Sequence, residues 1–437
     1  MIVSSAFAGK TYAVLGLARS GLATVETLVT SGARVVAWDS QEAARDQVAD
    51  KAEIGDPMEI DLAGFDGIVV SPGVPLNKHP ITMRAAIAGV PIIGDIELFA
   101  LARPTLPPHK VIGITGTNGK STTTALIHHI VGQAGFPVRM GGNIGLPILG
   151  QEPLEPNLHG VGVYVLELSS YQIDLTQSLD CDVAVLLNIT PDHLDRYNGF
   201  EGYVASKARL FAMQSAEHVA VIATEDEPSR TILQGLGNIV VPVASGDINP
   251  AGQCEWPALQ GPHNAQNAAV AIAVARAIDI SDDDIFPALA SYASLPHRMQ
   301  AVRELNGVLY VNDSKATNAA STAPALAAWP PVDGKARIHW IVGGLAKTDN
   351  LDECASQFGN VAHAYTIGEA GHMFADLLRP HMAVDDSEML SAAVRRAARV
   401  AQPGDVVLLS PACASFDQFR DFEARGDAFV AAVAALE

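Results

Sequence analysis

Three times along this 437-residue chain, short apolar runs alternate with turn residues and segments of helical length, and each series restarts after a break. Such alternation leaves little choice but strands laid parallel in one sheet, with helices crossing between them. The first series runs from Tyr12 to Leu15, through a turn holding Gly16 and Gly21 and a helix-like stretch, to Arg34–Trp38 and Asp39. Apolar runs at Gly67 to Val70 and Pro91 to Ile93 continue it, and Arg103-Pro-Thr-Leu-Pro-Pro108 reads as a linker. From Lys110 the series restarts, with strands expected at Val111 to Ile114, Val161 to Leu168, Val183 to Ile189 and Val219 to Ala223. Helices are expected over Lys120 to Gln133, Asn264 to Ile278 and Asp282 to Tyr292. After Leu295-Pro-His-Arg298 a third series places strands near Val308 to Val311, Ile338 to Val342, Ala364 to Ile367 and Val406 to Leu409. The expected architecture is α/β, with three domains over 1–104, 105–303 and 304–437, each a mostly parallel, doubly wound sheet.

Composition removes several classes of function. The chain is 49% hydrophobic, yet Gly, Pro and acids interrupt every apolar run before the roughly 18 residues of a membrane span. Insertion into a membrane is therefore not expected, and the segment from Met1 to Thr11 lacks the form of a secretory signal. Cysteines at 181, 254, 354 and 413 form no CxxC pair, which fits a reducing cytoplasm. A formal charge of -20 argues against nucleic acid, because a phosphate backbone needs a basic surface.

The sharpest motif is Gly113-Ile-Thr-Gly-Thr-Asn-Gly-Lys-Ser121, between an expected strand and helix. Its glycines let backbone N–H groups curl around phosphate, Lys120 supplies a point charge, and the Ser121 hydroxyl can ligate Mg²⁺. It departs from the usual phosphate-loop spacing, because Ile114 stands where the first glycine belongs. Downstream, Glu167 ends an apolar strand in Leu-Glu-Leu-Ser-Ser170, where a buried carboxylate needs a partner and a metal ion is one. A capping acid is the alternative. His193, in Asp-His-Leu-Asp195, follows another strand and would share the same sheet edge, where open α/β sheets bind ligands.

In the first series, Gly16-Leu-Ala-Arg-Ser-Gly21 keeps the outer spacing of a dinucleotide fingerprint but has Ala18 at the middle glycine position. A side chain there crowds a pyrophosphate, so a nucleotide held in another manner, or none at all, is expected, with Asp39 at the end of the second strand. A packing turn with a solvated Asp is the alternative. The third series carries Asn312-Asp-Ser-Lys-Ala-Thr-Asn318, Gly343-Gly-Leu-Ala-Lys347 and Ser410-Pro-Ala-Cys-Ala-Ser-Phe-Asp-Gln-Phe419, each after an expected strand. Three clusters of cationic and hydroxyl groups at strand ends suit a carboxylate or a phosphate.

With these motifs in hand, the chain resembles the Mur ligases over nearly its full length. The resemblance rests on Thr-Gly-Thr-Asn-Gly-Lys-Ser121, Gly-Gly-Asn-Ile-Gly145, Leu-Glu-Leu-Ser-Ser170, Asp-His-Leu-Asp195, Gly-Pro-His-Asn-Ala-Gln-Asn267, Leu-Pro-His-Arg298 and Asn-Asp-Ser-Lys-Ala-Thr-Asn318. The run from Ser410 to Phe419 is most similar to members that add D-glutamate, with Phe416 where many relatives carry Leu. The resemblance implies a Rossmann-like N-terminal domain, a central P-loop ATPase domain and a Rossmann-like C-terminal domain. It implies ATP and Mg²⁺, two ions, as cofactors. The small-molecule substrates it implies are UDP-N-acetylmuramoyl-L-alanine and D-glutamate, joined in the cytoplasm by a monomer.

By the same resemblance, Lys120, His193 and Lys207 are the expected catalytic residues. Gly116, Thr117, Asn118, Gly119, Lys120, Ser121, Thr122, Asn267, Arg298, Asp313 and Lys315 are expected to contact ATP. Asp39, Ser40, Asn143 and His193 are expected against the UDP-linked substrate, and Thr317, Lys347, Ser415 and Phe422 against D-glutamate. Ser121, Glu167, His193 and Lys207, the last as a carbamate, are expected to hold metal. On local sequence alone, Lys207 in Tyr203-Val-Ala-Ser-Lys-Ala-Arg209 reads as a solvated helix lysine.

Other readings are separable. A folate polyglutamate ligase would carry its phosphate loop much nearer the N-terminus, and a diaminopimelate-adding enzyme would carry Asp-Asn-Pro-Arg. An ATP-driven switch would leave the three clusters of the third series without a purpose, and an NAD oxidoreductase is disfavoured by Ala18.

Overall fold

The computed structural model describes residues 1–436 except Asn238. Among the described residues, seventeen strands form three sheets. The first holds β1 (Thr11–Leu15), β2 (Arg34–Trp38), β3 (Glu53–Ile54), β4 (Gly67–Val70) and β5 (Ile92–Ile93), in the order β3-β2-β1-β4-β5 with all pairs parallel. The winding reverses between β1 and β4, and that reversal opens a crevice at the strands' C-terminal ends.

The second sheet holds β6 (His109–Thr115), β7 (Val138–Gly142), β8 (Gly162–Glu167), β9 (Val183–Leu186), β10 (Val219–Ala223) and β11 (Ile239–Val243), ordered β11-β10-β9-β6-β8-β7 and again parallel. The central strands are covered on both faces. Val111, Ile112 and Ile114 of β6, and all of β8 and β9, are buried, which is why they read as continuous apolar runs.

The third sheet holds β12 (Gln300–Leu305), β13 (Val308–Asn312), β14 (Ile338–Gly343), β15 (Val361–Ile367), β16 (Ala383–Glu388) and β17 (Val406–Leu409), ordered β12-β13-β17-β14-β15-β16. Only β12 runs antiparallel to its neighbour, joined to β13 through Asn306-Gly307, both at positive φ. This pair of residues suits a two-residue hairpin turn, whose twist matches that of the strands. Inserting β17 between β13 and β14 makes the three strands that precede the three polar clusters immediate neighbours.

The three mostly parallel, doubly wound sheets expected from the alternation are present. Their packing groups them into two compact units, residues 1–244 with 269–288 and residues 245–268 with 289–437. In the first unit the first two sheets share one core, in which Ile2, Phe7, Val25 and Phe99 join Tyr164, Leu166, Leu179 and Ile222. Glu97 strengthens this joint: its carboxylate accepts from the Gln177 and Ser178 amides and the Ser178 hydroxyl at 2.6–2.9 Å. In the second unit, apolar clusters around Trp340 and around Tyr310 and Phe429 cover the two faces of the third sheet. No helix among the described residues is long and apolar enough to cross a membrane.

Candidate active site

The loop after β6 turns at Gly116, with φ 154, and delivers the helix Lys120–Gln133 with Gly119 as its cap at φ 84. A Cβ on Gly116 would come within 2.9 Å of the Leu187 Cβ, so only glycine lets the loop lie flat on the segment after β9. That segment holds the loop open. The Thr117 amide donates to the Asn188 carbonyl at 2.8 Å, the Asn118 amide donates to the Asn188 side chain at 2.8 Å, and the Thr190 amide donates to the Thr117 hydroxyl at 3.0 Å. Ser121 is buried and Thr122 half-buried in the first turn of the helix, whose N-terminal N–H groups and dipole favour an anion. The Lys120 ammonium folds onto the loop and donates to the Gly116 and Thr117 carbonyls, both at 2.8 Å.

Lys207, on the helix Phe200–Ala212, is 1% exposed rather than solvated as its local sequence suggests. Its ammonium donates to the Gly116 carbonyl at 2.8 Å, reaches the Thr115 hydroxyl at 3.4 Å, and lies 4.6 Å from the centre of the Tyr203 ring. Burial first, and then the charge of Lys120, hold this amine well below the usual lysine range. Tyr203 is itself fixed by the loop, its hydroxyl 3.3 Å from that of Thr117.

At the end of β8, next to β6 in the sheet, Glu167 is 2% exposed. One carboxylate oxygen accepts from the Asn143 amide group at 2.9 Å, and the Asn143 backbone N–H donates to the Glu167 carbonyl at 2.8 Å. The other oxygen, Oε2, is buried with no hydrogen-bond partner. A buried carboxylate oxygen without a donor is costly, and a cation is the group that satisfies it. The residues present thus fit a divalent ion, although no group of three or more His, Cys, Asp or Glu is gathered among the described residues. His193 sits on the loop after β9 in a left-handed conformation, φ 52, which a non-glycine residue adopts at a cost. Its exposed ring packs 5.1 Å from that of Tyr171.

In the first sheet, Asp39 does the work of a turn clamp rather than standing free in solvent. One oxygen accepts from the Leu17 amide at 2.8 Å and the other from the Gln41 amide at 2.9 Å. Burial alone would raise its pKa, but these amides, the Arg45 guanidinium and the Ser40 hydroxyl hold it below the ordinary carboxylate range. The Ser40 carbonyl accepts from Arg45 at 3.2 Å, and the Arg45 guanidinium lies 4.6 Å over the Trp38 ring. Two arginines that sequence reasoning passed over cross between the first two sheets. Arg19 donates to the Gly145 carbonyl at 2.8 Å, two residues beyond Asn143, and Arg196 donates to the Pro72 and Val74 carbonyls while lying 4.2 Å over Tyr171. Beside Arg196, a cleft of about 360 Å³ is lined by Leu76, Asn77, Tyr171, Asp174 and Tyr197. Arg196 stands immediately after the Asp-His-Leu-Asp motif, the one signal that pointed toward it.

The second unit holds the remaining expected residues. Asp313 follows β13 and is buried, its carboxylate accepting from the Met299 amide at 3.1 Å and the Ser410 hydroxyl at 2.8 Å. Burial pushes it up to about 7, against the lowering effect of those donors and of Arg298. Asn267 is buried on the helix Pro262–Ala277 and donates to the Asn264 side chain at 3.1 Å. The Lys315 ammonium lies 3.9 Å over the Phe422 ring. The Lys347 ammonium reaches the Thr317 hydroxyl at 3.4 Å, and Ser415 is buried on the loop after β17.

Sequence reasoning also missed Arg425, which is 1% exposed. Its signal was its place in the helix Phe422–Ala434, where Arg425, Phe429 and Val433 share the buried face, so a charge stands on an apolar stripe. Burial lowers its pKa to about 10.

A glycine loop and lysine at the head of a parallel sheet, a buried acid on the next strand and a further unit with three polar loops define a nucleotide-using α/β enzyme of the phosphate-loop class. Comparison with known proteins narrows the class. Residues 10–94 match the Mur ligase MurD-like N-terminal domain, 114–257 the Mur ligase middle domain, and 297–413 the Mur ligase glutamate ligase domain. The UDP-N-acetylmuramoylalanine--D-glutamate ligase of Novosphingobium aromaticivorans is 64% identical, over 100% of this chain and 97% of its own length. The protein of the same name from Sphingopyxis alaskensis is 63% identical over 100% of both. The fold is shared with MurC of Thermotoga maritima (TM-score 0.56, 16% identity, 98% of this chain and 99% of that one) and MurF of Acinetobacter baumannii (TM-score 0.57, 17% identity, 98% and 93%). The chain belongs to the Mur ligase family.

Proposed function

We propose that this chain is an ATP-dependent ligase that joins D-glutamate to the alanyl carboxylate of UDP-N-acetylmuramoyl-L-alanine, forming an amide with release of ADP and phosphate, in peptidoglycan precursor synthesis. The full-length relatives that carry this name support the substrates. The observation that carries the chemistry is the buried Lys207 amine against the phosphate-loop carbonyl, beside the Lys120 ammonium.

The reaction begins when a carboxylate oxygen of the nucleotide substrate attacks the γ-phosphorus of ATP and the bond to the ADP oxygen breaks. The N-terminus of the helix Lys120–Gln133 faces the phosphates, and Lys120 exchanges its loop carbonyls for phosphate oxygens. The acyl phosphate then accepts the neutral amine of D-glutamate: the C–N bond forms, the C–O bond to phosphate breaks, and the amine loses a proton. Mg²⁺, two ions in this reading, supplies positive charge against the phosphate and carboxylate oxygens when bound. Ser121, Glu167, His193 and Lys207 are the residues that would hold it. Lys207 reaches that role by adding its neutral amine to CO₂ and releasing a proton, which turns a donor into an anionic ligand.

On the substrate side, Asp39 and Ser40 shape the turn that receives the uridine end, with Asn143 and His193 toward the alanyl end. Thr122, Asn267, Arg298, Asp313 and Lys315 complete the ATP contacts, and Thr317, Lys347, Ser415 and Phe422 receive D-glutamate. Free thiols at 181, 254, 354 and 413 suit a reducing cytoplasm, where the enzyme acts as a monomer.

The test is phosphate release with ATP, Mg²⁺ and UDP-N-acetylmuramoyl-L-alanine, comparing D-glutamate, L-glutamate, meso-diaminopimelate and no amino acid, with the product mass checked. Release that depends on D-glutamate, with a product heavier by one glutamyl residue, supports the reading; release indifferent to every amino acid sinks it.

A further inference from the structure

The three polar loops that follow β13, β17 and β14 meet at one buried side chain. The Arg425 guanidinium donates from Nε to the Ser314 hydroxyl at 3.0 Å, from Nη2 to the Ser314 carbonyl at 2.8 Å, and from Nη1 to the Ala414 carbonyl at 3.2 Å. The third loop is locked to the second, because Leu345 and Ala414 exchange N–H···O bonds at 2.9 and 3.0 Å. It also leaves space for the guanidinium: a Cβ on Gly344, which has φ 133, would sit 3.1 Å from Nη1. The Ser314 hydroxyl in turn donates to the Phe422 carbonyl at 2.8 Å, which closes the arrangement onto the helix that bears Arg425.

Each loop carries a residue of the proposed amino-acid pocket close to its contact with Arg425. Ser415 follows Ala414 directly, Lys347 lies just beyond Leu345, Thr317 lies one turn beyond Ser314, and Phe422 opens the helix. Burying a guanidinium with no ion-pair partner is expensive, and an apolar side chain of similar volume avoids that cost. No salt bridge to Arg425 exists among the described residues; its guanidinium bonds are to carbonyl and hydroxyl oxygens. A planar fork that bonds in several fixed directions is what an apolar residue, or the point charge of lysine, lacks.

We infer that Arg425 is a positioning residue for the amino-acid substrate: it sets the spacing of the loops at 314, 344 and 414, and thereby of Thr317, Lys347, Ser415 and Phe422. The inference rests on the assignment of that pocket to D-glutamate.

The test is steady-state phosphate release by the full chain, with each substrate varied in turn, for the parent, Arg425→Met, Arg425→Lys and Ser314→Ala. Arg425→Met is expected to raise KM for D-glutamate about 10- to 100-fold while KM for ATP moves less than about two-fold. Arg425→Lys, which restores charge and one direction of bonding, falls between the two. A D-glutamate KM within about two-fold of the parent, or KM values rising together for all three substrates, overturns the inference in favour of a purely structural arginine. Should Arg425→Met fail to fold, Ser314→Ala decides: a rise of about 3- to 10-fold confined to D-glutamate supports the inference, and no rise overturns it. A parent enzyme indifferent to D-glutamate would overturn the ligase reading itself. A D-glutamate-dependent parent with an unaltered Arg425→Met overturns only the role of Arg425.

Discussion

Lys120 and Lys207 direct their amines at the same oxygen: each Nζ lies 2.8 Å from the carbonyl of Gly116. Two ammonium groups that converge on one oxygen repel each other when both are charged. Burial is the larger cause at Lys207 and the charge of Lys120 the second, and together they drive its amine toward the neutral form. One charge and one nucleophilic amine at a single loop carbonyl is what a lysine carbamate next to a phosphate site requires.

Lys207→Ala should therefore lower kcat about 10²- to 10³-fold, and acetate, a carboxylate small enough for the vacated space, should return part of it. Acetate without effect on a folded Lys207→Ala enzyme would count against the carbamate.

Glu167 makes a different prediction, because one of its carboxylate oxygens is buried without a hydrogen-bond partner. Glu167→Gln keeps an acceptor for Asn143 and removes the charge. Thermal unfolding should show stability within about 1 kcal/mol of the parent. The Mg²⁺ concentration for half-maximal activity should rise about 10- to 100-fold. An unchanged Mg²⁺ dependence would remove Glu167 from the metal site.

At the other end of the first unit, Asp39 bonds both Leu17 and Gln41, so its loss loosens the turn between β1 and the helix Arg19–Thr30. Asp39→Ala should raise KM for UDP-N-acetylmuramoyl-L-alanine about tenfold or more with kcat little changed, since binding distant from the reacting carboxylate is lost equally from ground and transition states. A fall in kcat at constant KM would place Asp39 elsewhere in the reaction.

Asp313 links stability to pH. Its folded pKa of about 7 lies above the ordinary value of 3.8 for an unfolded Asp, so the folded state favours the protonated acid. The contribution is full below about pH 4 and is lost as pH rises toward 7, at about 1.4 kcal/mol per pH unit, or about 4 kcal/mol in all. Above that it is level. Chemical denaturation from pH 4 to 8 should show this slope in the parent and its reduction in Asp313→Asn. Parallel curves for the two proteins would show that Asp313 ionises normally.

The strands that the alternation revealed are the interior ones and a single edge strand, β5. Five strands it did not reveal, β3, β7, β11, β12 and β16, all lie at sheet edges. An interior parallel strand is covered on both faces and reads as an unbroken apolar run, as Val183–Leu186 does. An edge strand is partly solvated and takes polar residues, as Gln300–Leu305 and Ala383–Glu388 do, so its pattern dissolves into that of a loop. The Asn306-Gly307 turn was the one local sign of β12.

Sequence by itself determined the fold class, the phosphate loop with Lys120 and Ser121, and the three polar clusters at strand ends, because each is written in neighbouring residues whose local conformation carries the meaning. Only the tertiary structure decided that Lys207 is buried against Gly116, that one oxygen of Glu167 lacks a partner, and that Arg425 joins the loops of Ser314 and Ala414, far apart along the chain. Burial and partnership depend on which distant segments the sheet order brings together, and β17 reaches its place between β13 and β14 only after the rest of that sheet has been laid down along the chain. A lysine on a helix has the same local sequence whether it faces water or a phosphate loop, and the difference in its chemistry comes from the surroundings that the fold supplies.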